Sequence, residues 1–86
     1  SSEGAQEKHT PVYHIDGETV TVSVGEVAHP MTPEHYIDWV CIETEAGFQF
    51  KKLTPDMSPK VSFSLTKDDK VKSVYGFCNL HSLWKA

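Results

Sequence analysis

Glu18-Thr19-Val20-Thr21-Val22-Ser23-Val24 alternates polar and apolar side chains at every step. A period of two puts Val20, Val22 and Val24 on one face of an extended chain and Thr19, Thr21 and Ser23 on the other, the pattern of a strand packed on a core by one side. Just before it, Val12 to Ile15 runs into Asp16-Gly17, a favoured two-residue turn, so the two segments read as a β-hairpin. The rest of the chain continues in the same way. Tyr36 to Thr44 reads as a longer central strand, with Ile37, Trp39 and Cys41 expected on one side and Val40 and Ile42 on the other. Ala46-Gly47 turns into a strand marked by Phe48 and Phe50, and Pro55 to Pro59 forces a loop. Val61, Phe63 and Leu65 alternate again, Thr66 to Asp69 is turn-like, and Val71, Ser73, Tyr75 and Phe77 share one face of a strand running into Cys78. No window has helical periodicity. Short strands at this spacing predict an all-β domain, an immunoglobulin-like antiparallel β-sandwich of about seven strands, with a small closed barrel as the alternative.

Size and composition narrow the functional classes. A chain of 86 residues is one small domain, with residues 1–6 read as a polar leader and 7–86 as the folded unit. Such a chain buries only about 60–65% of its unfolded surface and commonly needs a staple. Five histidines make a metal the first candidate. Twelve acidic against eight basic residues, net −4, argue against nucleic acid or an anionic membrane as partner. No run approaches the ~20 apolar residues of a membrane-spanning helix. Two cysteines are too few for a secreted disulfide framework, so a reducing cytoplasm is expected.

The histidines cluster by type of segment. His29 and His35 bracket Pro30-Met31-Thr32-Pro33-Glu34, where two prolines exclude a regular strand and stiffen the connection. Thr32 as N-cap with Pro33 following predicts a single helical turn that aims His35 back toward His29. Cys78-Asn79-Leu80-His81 offers a thiolate and an imidazole from one turn, and Glu7-Lys8-His9 stands just before the first strand. His9, His29, His35, His81 and Cys78 make five candidate ligands, one more than closed structural zinc takes. Blue copper usually adds a methionine soon after the second histidine, and none follows His81. Imidazoles suit iron, and four nitrogens with one sulfur would leave one position open for redox chemistry. His14 lies inside a strand and reads as a bystander, and Cys41 reads as a buried hydrophobe. Tyr36, Trp39 and Trp84 read first as packing.

Glu7-Lys8-His9-x-Pro11, His29-Pro30-Met31-Thr32-Pro33-Glu34-His35-Tyr36-Ile37-x-Trp39 and Cys78-Asn79-Leu80-His81-x-x-Trp84 resemble the three signature segments of superoxide reductase, the iron domain of desulfoferrodoxins and neelaredoxins. The resemblance runs from Glu7 to Ala86. It implies one mononuclear non-haem iron, Fe2+/Fe3+, with four equatorial imidazoles from His9, His29, His35 and His81 and Cys78 as axial thiolate. It further implies that Glu7 binds the ferric ion and leaves on reduction, and that Lys8 stands near the open site. The implied reaction is one-electron reduction of superoxide to hydrogen peroxide, with a rubredoxin-type donor restoring the iron and a dimer or tetramer as the assembly. Physical chemistry agrees with these roles. Superoxide is an anion approaching a chain of net −4, so a local cation such as Lys8 is needed as a focus. No cysteine precedes Glu7 to hold a second iron, so the expectation is either a single iron or a chain cut from a longer protein. Where the family often has Gly after its last histidine, this chain has Ser82, a residue that accepts most backbone shapes without positive φ. The alternatives are a closed-site electron-transfer metalloprotein on the same fold, or a sandwich with a purely structural metal.

Overall fold

Val20, Val22 and Val24 point inward as their alternation predicts, each 1% exposed or less. In the computed structural model the described residues are 9–25 and 29–86. The leader expected over residues 1–6, together with Glu7 and Lys8, lies outside them. Seven strands form: β1 Pro11–Asp16, β2 Thr19–Val24, β3 Ile37–Thr44, β4 Gly47–Lys52, β5 Lys60–Ser64, β6 Val71–Cys78 and β7 Ser82–Lys85. They make two antiparallel sheets, a three-stranded one ordered β1-β2-β5 and a four-stranded one ordered β4-β3-β6-β7. No strand pairs across from one sheet to the other among the described residues, so the architecture is the sandwich and not the closed barrel. No helix there is long and apolar enough to cross a membrane.

Local chemistry shifts some boundaries. Asp16 pairs with Thr19, so the first hairpin turns on Gly17-Glu18, one residue later than expected. Gly17 has φ +61°, which the first central position of a primed turn requires and an L side chain resists. β7 is the strand that the alternation of side chains did not reveal. It is only four residues long and follows β6 through a short turn.

The long central strand carries an irregularity. Pairing of β3 with β6 shifts between Ile37 and Trp39, leaving Asp38 as an extra residue. Ile37, Val40 and Ile42 therefore all point into the core, while Trp39 and Cys41 turn outward. Ile37 does not share the face of Trp39 and Cys41 as period two alone predicts. Cys41 is correspondingly half-buried on the outer face instead of lying in the core. There Trp39 stacks on Phe77 at 5.3 Å and meets Phe50 at 5.2 Å.

The core between the sheets is Val20, Val22, Val24, Ile37, Val40, Ile42, Leu53, Phe63, Leu65, Val74 and Cys78. Fully burying each large aliphatic side chain contributes roughly 1.5–3 kcal/mol, which anchors the strands whose ends carry the histidines. His9 precedes β1, His35 precedes β3, and Cys78 closes β6 just before His81. Ile37 pairs with Cys78, so these segments leave the core at the same end.

Candidate metal centre

Each candidate ligand is held by a different local device. The Thr32-to-His35 segment closes through reciprocal backbone bonds, Thr32 N–H to His35 C=O at 3.0 Å and His35 N–H to Thr32 C=O at 3.1 Å. Thr32 Oγ1 also accepts from His35 N–H at 3.1 Å. That is the bond an N-cap makes, yet the expected helical turn does not form and residues 32–35 are a bend. The stiff loop nevertheless returns His35 to His29, with ring centroids 4.6 Å apart. Met31 Sδ accepts from Ile37 N–H at 3.3 Å, tacking the loop onto the start of β3.

The four rings form a closed circuit. Neighbouring centroids lie at 4.5 Å for His9 and His29, 4.6 Å for His29 and His35, 5.1 Å for His35 and His81, and 4.8 Å for His81 and His9. Each neighbouring pair is nearly perpendicular, between 78° and 84°. Across the circuit His9 and His35 are 6.0 Å apart, farther than any neighbours, and tilted by only 30°. A four-cornered plane has this pattern, whereas a tetrahedron makes all pairs equivalent. The ring nitrogens agree. His9 Nε2 is 3.1 Å from His29 Nε2 and 2.9 Å from His81 Nδ1. Nitrogens at a usual bond length of about 2.1 Å from one ion are about 3.0 Å apart at a right angle and about 3.4 Å apart at the tetrahedral angle.

Cys78 joins the circuit. Its Sγ is fully buried in the core and 3.9 Å from His81 Nδ1, and the donor atoms of His9, His35, Cys78 and His81 all lie within 4.8 Å of one another. His29 joins this group through His9. One imidazole nitrogen has a single in-plane proton or lone pair, so His9 Nε2 cannot satisfy two other ring nitrogens by ordinary hydrogen bonding. A cation between them would engage every lone pair at once. The donor set therefore fits a metal ion.

Surrounding groups orient the rings. His29 Nδ1 donates to the Pro30 carbonyl at 2.7 Å, leaving Nε2 to face the centre. Burial lowers the His29 pKa to about 4, against the opposing pull of the Pro30 carbonyl, with smaller lowering from His9, His35 and His81. The ring is thus a neutral donor at neutral pH. Trp84 stacks on His9 at 4.7 Å and 23°, and its Nε1–H donates to the His81 carbonyl at 3.1 Å. Trp84 thus packs directly on the site, not merely on the core. Asn79 ties the two motif loops together, accepting from Tyr36 N–H at 2.8 Å and donating to the Glu34 carbonyl at 3.0 Å. The bonding of Asn79 and Trp84 escaped the sequence reading, although both lie within the Cys78-to-Trp84 motif.

Of the residues singled out from sequence, His9, His29, His35, Cys78 and His81 come together, and His14 stays exposed on β1. Glu7 and Lys8 lie outside the described residues. Two antiparallel sheets that gather four imidazoles and a thiol at one end define the class, a β-sandwich with a histidine and cysteine centre able to hold a metal.

The chain matches the family model described as desulfoferrodoxin over residues 1–86. A desulfoferrodoxin of Clostridium acetobutylicum is 46% identical over 86 residues, covering 100% of this chain and 66% of the relative. A superoxide reductase of Pyrococcus horikoshii is 34% identical over 96 residues, covering 92% of this chain and 84% of the relative. Among solved structures, the superoxide reductase from Treponema pallidum superposes with a TM-score of 0.95 at 55% identity, covering 98% of this chain and 69% of that one. The one-iron superoxide reductase from Giardia intestinalis gives 0.78 at 28% identity, covering 93% and 95%. The chain belongs to the desulfoferrodoxin family. It spans about two thirds of the length of the first curated relatives it matches, 66% and 67%.

Proposed function

We propose that this chain is a superoxide reductase domain, reducing superoxide to hydrogen peroxide by one electron at a mononuclear iron held by His9, His29, His35, His81 and Cys78. The observation that carries the reading is the closed circuit of four nearly perpendicular imidazoles, with a buried cysteine donor within 4.8 Å of three of them. Four imidazoles and one thiolate would be one donor more than closed tetrahedral zinc takes, and the mixed nitrogen and sulfur set would suit iron. Iron, when bound, supplies the single electron that reduces superoxide.

The chain's own residues do the rest. Imidazole ligands would hold the ion without adding charge, and a Cys78 thiolate would contribute negative charge. Lys8 is assigned as the cation that draws superoxide in against the net charge of −4. Glu7 is assigned as the carboxylate that favours the oxidised, harder ion. Both assignments rest on the first signature segment, where the two residues adjoin His9. Solvent supplies the two protons that peroxide requires.

The donor is assigned as a rubredoxin-type protein from the same family resemblance. A cytoplasmic location is assigned because two cysteines are too few for the disulfide framework of small secreted domains. The assembly is assigned as a homo-oligomer through the outer face of the four-stranded sheet. Phe48, Phe50 and Leu83 are exposed there beside Trp39 and Phe77. Nearby charges are largely engaged within the chain, Lys52 with Asp38, Lys72 with Glu43, and Lys85 over the Tyr75 ring. A second copy of the same largely apolar face suits it better than an oppositely charged partner.

Metal analysis of the purified protein is expected to give one iron per chain, and superoxide added to the reduced protein should oxidise it stoichiometrically with peroxide as the product. Dioxygen evolution would show dismutation instead, and no reaction with superoxide would leave the closed electron-transfer reading. Lys8→Ala should retain iron while slowing the encounter and flattening its dependence on ionic strength.

A further inference from the structure

The Asn79 side chain spans a gap in the fold that no strand pairing closes. Its amide uses both ends on the backbone of the His29-to-Tyr36 segment, accepting from Tyr36 N–H at 2.8 Å and donating to the Glu34 carbonyl at 3.0 Å. Asn79 N–H adds a third bond to the Tyr36 carbonyl at 3.1 Å. These bonds grip the residues immediately before and after His35, while Asn79 itself directly follows Cys78. A link from Cys78 to His35 thus runs through one side chain, across 43 and 45 residues of sequence. Within its own loop the bonds to Thr32 shape the bend and Met31 Sδ takes Ile37 N–H at the start of β3, while the Asn79 bonds tie the loop to the segment that follows β6.

We propose that Asn79 is a positioning residue for the centre, setting the His35 imidazole opposite His9 and in register with the Cys78 sulfur, and thereby tuning metal affinity through His35. The proposal rests on His35 and Cys78 being ligands, as assigned above. An amide is suited to this task because it offers one acceptor and one donor in a fixed plane, matching an adjacent N–H and C=O. A carboxylate lacks the donor, and an alkyl side chain lacks both. Groups that orient metal ligands in this way commonly change affinity about 10- to 100-fold when replaced. Asn79 is exposed and water competes for its partners, so the effect belongs at the lower end, about tenfold.

The test uses cobalt(II) as probe, titrated into metal-free protein and followed by its visible absorption, with Asn79→Ala, Asn79→Asp, His35→Ala and the double variant Asn79→Ala/His35→Ala. Asn79→Ala should weaken cobalt binding about tenfold and move its absorption toward that of His35→Ala. Asn79→Asp keeps the acceptor for Tyr36 N–H and should fall between wild type and Asn79→Ala, serving also where the alanine variant does not fold. In the His35→Ala background, Asn79→Ala should cost nothing further, because its route to the metal is gone. Full additivity of the two losses would overturn the proposal and assign Asn79 a general structural role. Unchanged cobalt binding by His35→Ala would overturn it together with the ligand assignment. A protein inert to superoxide but with a non-additive cycle would sustain the positioning role and remove only the reductase reading.

Discussion

Ser82 occupies the left-handed region at φ +61°, directly after His81 and at the start of β7. The chain needs this turn to swing from the Cys78-to-His81 segment back along β6, and Cys78 pairs with Ser82 to close it. The expectation that Ser avoids positive φ is therefore overturned at this position. A left-handed conformation costs an L residue roughly 1–2 kcal/mol, partly offset because Gly adds about 0.4–1 kcal/mol of unfolded-state freedom. Ser82→Gly is predicted to stabilise the protein by about 0.5–1 kcal/mol, read as a raised chemical denaturation midpoint at unchanged m-value. A lowered midpoint would mean that the Ser82 side chain contributes more than its backbone costs. At this same scale the candidate ligands were legible. His9, His29, His35, Cys78 and His81 stood out by their segments, and His14 was separable because it sat within a strand pattern.

Among the elements, β6 comes close to both β1 and β2 across the sandwich. A Cβ on Gly76 would meet Val24 Cγ2 at 3.3 Å and Pro11 Cγ at 3.6 Å. Pro11 is two residues beyond His9, so the missing side chain lets the three-stranded sheet bring His9 over the end of the four-stranded one. Overpacking a core commonly costs 1–3 kcal/mol, against about 0.5–1 kcal/mol gained by replacing a strand glycine. Gly76→Ala should thus destabilise by about 1 kcal/mol and Gly76→Val by more, both measured by equilibrium denaturation. Stabilisation by the alanine would show that Val24 and Pro11 give way freely. Alternation identified β2 correctly along its length and β6 from Ser73 onward, whereas Val71 packs on the core and leaves the face of Ser73, Tyr75 and Phe77 because the pairing with β3 shifts at Lys72. It misassigned the start of β3, because one inserted residue at Asp38 inverts the phase and single-chain periodicity carries no record of its partner's register.

For the whole molecule, gathering four imidazoles at one end couples folding to protons as well as to metal. His29 is neutral in the folded chain down to about pH 4, whereas an unfolded histidine protonates near 6.5. Between these values the unfolded chain binds more protons, so stability rises with pH. The contribution is fully present above the unfolded value and is lost as pH falls through the window toward 4. The metal-free protein is expected to lose denaturation midpoint on acidification from 6.5 to 4, and His29→Gln should flatten that slope. An unaltered slope in the variant would transfer the pH dependence to other groups. Iron binding should raise the midpoint further, because a ligand held only by the folded chain stabilises it by mass action.

The amino-acid sequence by itself determined that the chain is all-β, that alternating strands face a core, and which histidines and cysteine are candidates for one centre. These follow from local periodicity, turn residues and motif spacing, all of which act over a few neighbours. Tertiary structure alone decided that the four imidazoles form a closed circuit of nearly perpendicular neighbours, and that Trp84 stacks on one ring. It also decided that Asn79 locks one loop onto another. The physical reason is distance along the chain. His9 and His81 meet across 72 residues, and only the packing of two sheets brings such groups to 2.9 Å.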